Sequence, residues 1–319
     1  MPPIQAPMYP ISALSSHLLA LLFSGSYVGS LYVVRNARIS PAKGPAAGHQ
    51  VVAGSRDDPS VIRARLSAVT FASAFNCAVL YFLVAKHSPP SSTHSFATTL
   101  ALLGVRWPAS VLSCLQTPIL FLGPLYASYL ASELPGQAGF SVSRDFFKVF
   151  TTWIGFRNYI WAPLTEEIVF RACVLSVYAM SGSNHWKMIA FAPLVFGLAH
   201  VHHAWEAYTR LGRTSAALKR AVISTVFQTA YTTLFGAHAS FLFLRTSSLA
   251  VPLSAHIFCN IMGVPQLSSE LMSFPARKNA IRTVYVLGIV LFCATLRPWT
   301  RQGSIYWHAP VDFWRAATA

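Results

Sequence analysis

Long apolar runs alternate along the chain with short polar and basic segments. A helix that crosses a bilayer needs about 20 predominantly apolar residues. Eight stretches meet or approach that length, at 11–34, 66–85, 107–132, 159–180, 188–205, 221–244, 249–266 and 281–296. The pattern predicts an all-α polytopic integral membrane protein of about eight transmembrane helices. The seventh stretch is short and polar for a span, and only residues 245–248 separate it from the sixth. The Gly-, Pro-, Ala- and Arg-rich segment 35–65 reads as a flexible loop. Residues 1–106 form N-terminal spans with a basic loop, and residues 297–319 form a C-terminal tail.

Composition sharpens this reading. Of 319 residues, 54% are hydrophobic and only 10% charged, against about 25% charged in a typical soluble domain. So few charges cannot cover a water-exposed surface, and so apolar a chain is not a disordered one. Lys and Arg number 24 against nine acidic residues, a formal charge of +15. Such a balance also occurs in nucleic-acid binders, but here the apolar content makes basic loops on a lipid bilayer the better reading, with no nucleic-acid partner. With the N-terminus placed outside, 16 of the 24 basic residues fall in loops on the cytosolic side, which is the orientation that the positive-inside rule favours. The five cysteines all lie in apolar stretches, none as C-x-x-C, so neither a disulfide framework nor a cysteine metal site is expected.

The chemistry sits where charge is costly. Glu166 and Glu167 are adjacent inside the fourth stretch, with Arg171 following. A charged group at the centre of a bilayer costs at least about 2.5–3.5 kcal/mol. Glu167 and Arg171 are spaced as an intrahelical ion pair with the acid N-terminal, the favourable order. Glu166 points about 100° away around the helix, which leaves it to face a cavity. The fifth stretch carries Phe196 and His200, with His202 and His203 beyond, and the seventh carries His256 and Asn260, four apart on one face. In the N-outside topology, the rise per residue puts Glu166, His200 and His256 at roughly 10, 8 and 15 Å from the cytosolic ends of their helices. All three lie in the cytosolic half, around a common polar intramembrane cavity. A Glu that takes a proton from water, with His and Asn donors for an oxyanion, is a set of parts for hydrolysis.

Three motifs in this order, Glu166-Glu167-x-x-x-Arg171, Phe196-x-x-x-His200 and His256-x-x-x-Asn260, resemble those of the type II CAAX prenyl endopeptidases, the Ras-converting enzymes of the endoplasmic reticulum, within the ABI/CPBP membrane-protease superfamily. The resemblance spans about residues 107–296, which it marks as a protease core. It implies a multi-pass endoplasmic reticulum protein with its active site open to the cytosol. Such an enzyme removes the aaX tripeptide from farnesylated or geranylgeranylated CaaX proteins such as small GTPases. Carried over residue by residue, Glu166 activates water with help from His200, His256 and Asn260 stabilise the oxyanion, and Glu167, Arg171 and Phe196 support the site. No cofactor is implied. The minority alternative is zinc, held by Glu166, His200 and His256 or by a cluster of His200, His202, His203 and Glu206, although the spacing is not H-E-x-x-H. A non-catalytic scaffold of the same superfamily and a transporter with an intramembrane ion path are the remaining alternatives.

Overall fold

A computed structural model describes residues 11–39, 53–87, 92–201, 203–301 and 304–307, and these contain helices, turns and no strand. In chain order the α-helices are α1 (Ala13–Val33), α2 (Pro59–His87), α3 (Ser92–Leu102), α4 (Gln116–Leu120), α5 (Leu122–Leu130), α6 (Lys148–Thr151), α7 (Trp153–Phe156), α8 (Ala162–Glu167) and α9 (Val174–Met180). They continue as α10 (His185–Leu198), α11 (His203–Arg210), α12 (Ser215–Thr246), α13 (Ala250–Met262), α14 (Leu267–Ser273) and α15 (Lys278–Thr300).

Among the described residues, three helical segments are long and apolar enough to cross a membrane: α1, α2 and Pro275–Thr300, which includes α15. A fourth span results if Val111–Leu120 and Leu122–Leu130, bent by 68° at Phe121, act together. The remaining apolar runs, expected as separate spans, are shortened, broken or diluted. The run at 188–205 becomes the 14-residue α10, and that at 249–266 the 13-residue α13. The run at 221–244 lies inside the 32-residue α12, where Thr, Gln and His dilute its apolar character. The run at 159–180 lies in a continuous helical path whose α-turns are interrupted by π-helix at Arg157–Trp161 and again at Ile168–Cys173. Helix α3 had no counterpart in the apolar pattern.

That composite helix is the centre of the molecule. Val169 through Tyr178 are all buried, so this segment presents no face to solvent or lipid. It packs on α1, α2, α10 and α12. Phe23 and Tyr27 of α1, Val69 and Leu80 of α2, Met188 and Phe196 of α10, and Phe243 of α12 form one apolar cluster with it. The outer faces are equally apolar. Leu14, Leu18 and Leu21 of α1, Val222, Phe227 and Leu234 of α12, and Val286, Ile289 and Val290 of α15 are all exposed. Contiguous exposed apolar surface on several long helices is what a lipid environment requires.

Part of the 35–65 segment is ordered locally. Residues Arg35–Ala37 form a 3₁₀ turn, and the Asp58 carboxylate caps the start of α2. Gly54 N and Ser60 N donate to Asp58 at 2.7 and 2.8 Å. These hydrogen bonds hold the Asp58 carboxyl below the usual carboxylate range. Residues 40–52 of that expected loop lie outside the described residues.

Candidate active site

The composite helix sets the two glutamates in different surroundings. Glu167 and Arg171 are fully buried, with Arg171 Nε 3.1 Å from Glu167 Oε2. The pair is in contact without hydrogen-bond alignment, since neither atom has a hydrogen-bond partner among the described residues. The Arg171 guanidinium instead lies over the Phe196 ring at 4.2 Å and near the Phe235 ring at 5.6 Å. Aromatic faces and one carboxylate therefore hold a desolvated cation. The other Glu167 oxygen accepts from His256 Nδ1 at 2.7 Å.

Glu166 turns the other way. Its side chain keeps 20% exposure, and its Oε2 lies 3.7 Å from His256 Nε2. One imidazole thus spans both carboxylates, bonded to the buried one and facing the accessible one. Glu166 lines a cavity of about 120 Å³ together with His200 and Asn158. His200 Nδ1 donates to the Phe196 carbonyl at 2.9 Å. A carbonyl only accepts, so this bond puts the proton on Nδ1 and makes Nε2 the acceptor nitrogen. Asn260 Nδ2 donates to the Asn158 carbonyl at 2.8 Å, which ties the second half of the His256-x-x-x-Asn260 motif to the cavity wall.

Phe196 is the hub of these contacts. Its ring meets His200 at 4.8 Å and His256 at 6.4 Å, both edge-on, as well as Phe170 at 5.0 Å. Helix α10 can bring Phe196 this close because it crosses α12 at Gly197. A Cβ there would collide with Thr233 Oγ1, and one at Gly236 would stand 3.0 Å from Pro193. Small residues at such crossings let helix backbones approach.

All seven residues singled out from the sequence therefore converge, although the cavity wall itself contains only Glu166 and His200 of them. His256 reaches the cavity through Glu166, and Asn260 through Asn158. The wall also contains residues that no motif marked. Tyr27, Val28 and Leu31 come from α1, Leu66 and Val69 from α2, and Arg56, Arg65 and Arg157 ring the same space. Tyr27 bonds Thr165, next to Glu166, at 2.9 Å. The first hundred residues thus build one side of the site, and their only sequence signal was apolar length. Among the described residues, no three His, Cys, Asp or Glu side chains are placed to hold a metal ion. Glu206 pairs with Arg65 at 3.4 Å, while His202 and the His203 side chain lie outside the described residues.

Known proteins resemble this chain over most of its length. Residues 148–262, which contain all three motifs, match the family described as type II CAAX prenyl endopeptidase Rce1-like. The chain is 34% identical over 284 residues to CAAX prenyl protease 2 of Homo sapiens, covering 86% of this chain and 78% of that protein. It is 32% identical over 282 residues to the probable CAAX prenyl protease 2 of Schizosaccharomyces pombe, covering 88% and 92%. A relative from Arabidopsis thaliana, also CAAX prenyl protease 2, is 32% identical over 249 residues, covering 72% and 77%. No solved structure matches. Identity at this level over most of both chains, with the motif residues gathered on one buried helix and its neighbours, shows that the chain is a protease belonging to the type II CAAX prenyl endopeptidase family.

Proposed function

We propose that this protein is an endopeptidase of the endoplasmic reticulum membrane that removes the aaX tripeptide from farnesylated or geranylgeranylated CaaX proteins, small GTPases among them. Water activated by Glu166 is the nucleophile, and no step is routed through a cofactor. The observation that carries this reading is the placement of Glu166. It is the partly exposed member of a carboxylate pair, on a cavity wall shared with His200, while its neighbour is consumed by Arg171 and His256.

In this mechanism Glu166 takes a proton from water, with His200 Nε2 as a second acceptor, and the resulting hydroxide attacks the carbonyl of the prenylated cysteine. Negative charge collects on the carbonyl oxygen. In its doubly protonated form His256 keeps Nδ1–H on Glu167 and offers Nε2–H to this oxygen, and the remaining amide hydrogen of Asn260 adds a second donor. Glu166 then returns the proton to the leaving amine as the C–N bond breaks, which yields a new carboxylate and a free tripeptide. The prenyl chain stays in hydrocarbon, where each buried CH₂ contributes about 0.8 kcal/mol. The peptide enters from the cytosol, the side to which the positive-inside rule assigns the basic loops.

The test is cleavage of a farnesylated CaaX peptide by membranes containing the protein, with and without 1,10-phenanthroline. Chelator-resistant cleavage that falls by roughly 10²–10⁴-fold in Glu166→Gln is expected, the range for removal of a general base. Full activity in a folded Glu166→Gln variant sinks the mechanism. Activity lost to chelator and restored by zinc replaces it with a metal-dependent one.

A further inference from the structure

Three arginines, Arg56, Arg65 and Arg157, line the cavity that contains Glu166, and general-base chemistry needs none of them. Arg65 is engaged: its Nε donates to the Ala37 carbonyl at 2.9 Å, and its Nη2 meets Glu206 at 3.4 Å. Arg157 donates to the Asn158 side chain at 2.9 Å, to the Arg56 carbonyl at 2.6 Å and to Asp57 at 3.0 Å. A guanidinium has five N–H donors, so two of these remain. Arg56 stands beside it, and its guanidinium makes no hydrogen bond or ion pair with the described residues. The Asp58 cap and the turn at Gly54, whose φ of 76° suits glycine, fix the loop that presents it. The guanidinium groups of Arg56 and Arg157 both line this cavity, and the one carboxylate paired with them, Asp57, is held by Arg157. That arrangement calls for an anion.

Spacing identifies the anion. The helical path from Arg157 to Glu166 is unbroken, and nine residues, about half of them in π turns that rise less than the α value of 1.5 Å, give a backbone separation along the axis of up to about 13 Å. An extended tripeptide spans about 10–11 Å, and a charge-assisted N–H···O bond adds about 2.8 Å. We infer that Arg56 and Arg157 bind the free α-carboxylate at the end of the substrate, so that their distance from Glu166 sets the cut three residues from the C-terminus. This rests on the aaX reading above and adds to it a residue-level cause for the length of the released peptide.

The experiment compares two farnesylated CaaX peptides, identical except that one ends in a carboxylate and the other in a carboxamide. Wild-type protein should favour the acid by roughly 10- to 100-fold in kcat/KM, the value of one or two charge-assisted hydrogen bonds. Arg56→Gln, which leaves Arg157 in place, should lower the acid-to-amide ratio several-fold, and Arg56→Lys should restore part of it. Arg56 is exposed, so thermal unfolding of both variants should match wild type. A wild-type enzyme that cuts both peptides equally overturns this inference and leaves the aaX reading intact, as does an Arg56→Gln variant that keeps the full preference. Failure of folded wild type to cut either peptide overturns both.

Discussion

Glu166 and Glu167 are chemically identical neighbours, and their surroundings alone give them different work. Glu167 has no exposed surface and is bonded by His256 and touched by Arg171. A buried ion pair adds little net stability, but removing one partner leaves an uncompensated charge, typically at a cost of 3–5 kcal/mol. Arg171→Ala should therefore lower folded yield and thermal stability by about that amount, and activity with it. Arg171→Lys should recover less than half of the loss, since an ammonium cannot lie flat against Phe196 and Phe235 as the guanidinium does. Fluorescence-detected size-exclusion chromatography across a temperature ramp measures both; a well-folded, fully active Arg171→Ala refutes the support role. The i, i+4 spacing of Glu167 and Arg171 made this pair legible in the sequence. The bond from His256 to Glu167 was not legible, because it joins residues 89 positions apart, and nothing in a helical repeat specifies which of two adjacent carboxylates a distant imidazole meets.

At the scale of elements, the site depends on how closely α10 approaches α12 and on two π-segments in the helix that bears the glutamates. Alpha turns alone would keep one hydrogen-bond register along residues 157–180. The π-segments on either side of Ala162–Glu167 change that register, a feature often found at functional sites. No composition signal marks a π-turn, which is why periodicity read this stretch as a uniform span. The crossing is similarly hidden, since Gly197 looks unremarkable in an apolar run until Thr233 is found against it. Gly197→Val should push α10 outward, carry Phe196 off Arg171, and destabilise by about 1–3 kcal/mol as overpacking does. Activity should fall more steeply than stability, because the displaced helix leads directly into the turn that holds His200. Thermal shift and peptide cleavage measured on one preparation check this, and parallel, small losses in both would count against it.

The molecule as a whole is a helical bundle with apolar surface both inside and out. That much followed from apolar length and the scarcity of charge, and three short motifs picked out residues that the fold brings close together. The number of spans did not. Hydropathy reports how apolar a run is but not whether its backbone continues as one helix, and the runs at 107–132 and 188–205 are interrupted at Phe121 and after Leu198. Nor did it show that α1 and α2 wall the cavity, a role that needs only shape and so leaves no motif.

The brevity of α10 and α13 has a consequence for the bilayer itself. At 14 and 13 residues they measure about 21 and 20 Å, against a hydrocarbon thickness of about 30 Å. Lipid beside helices this short should meet the mismatch by thinning; α13 carries His256, and His200 lies two residues beyond the end of α10. The water surface should thereby be drawn down toward Glu166, shortening the path that the polar end of a substrate travels. Reconstituted into phosphatidylcholine vesicles of increasing acyl-chain length, the enzyme should lose activity several-fold as the membrane thickens, with its melting temperature little changed. A rate indifferent to chain length would mean that the protein carries its own aqueous access and asks nothing of the lipid around it.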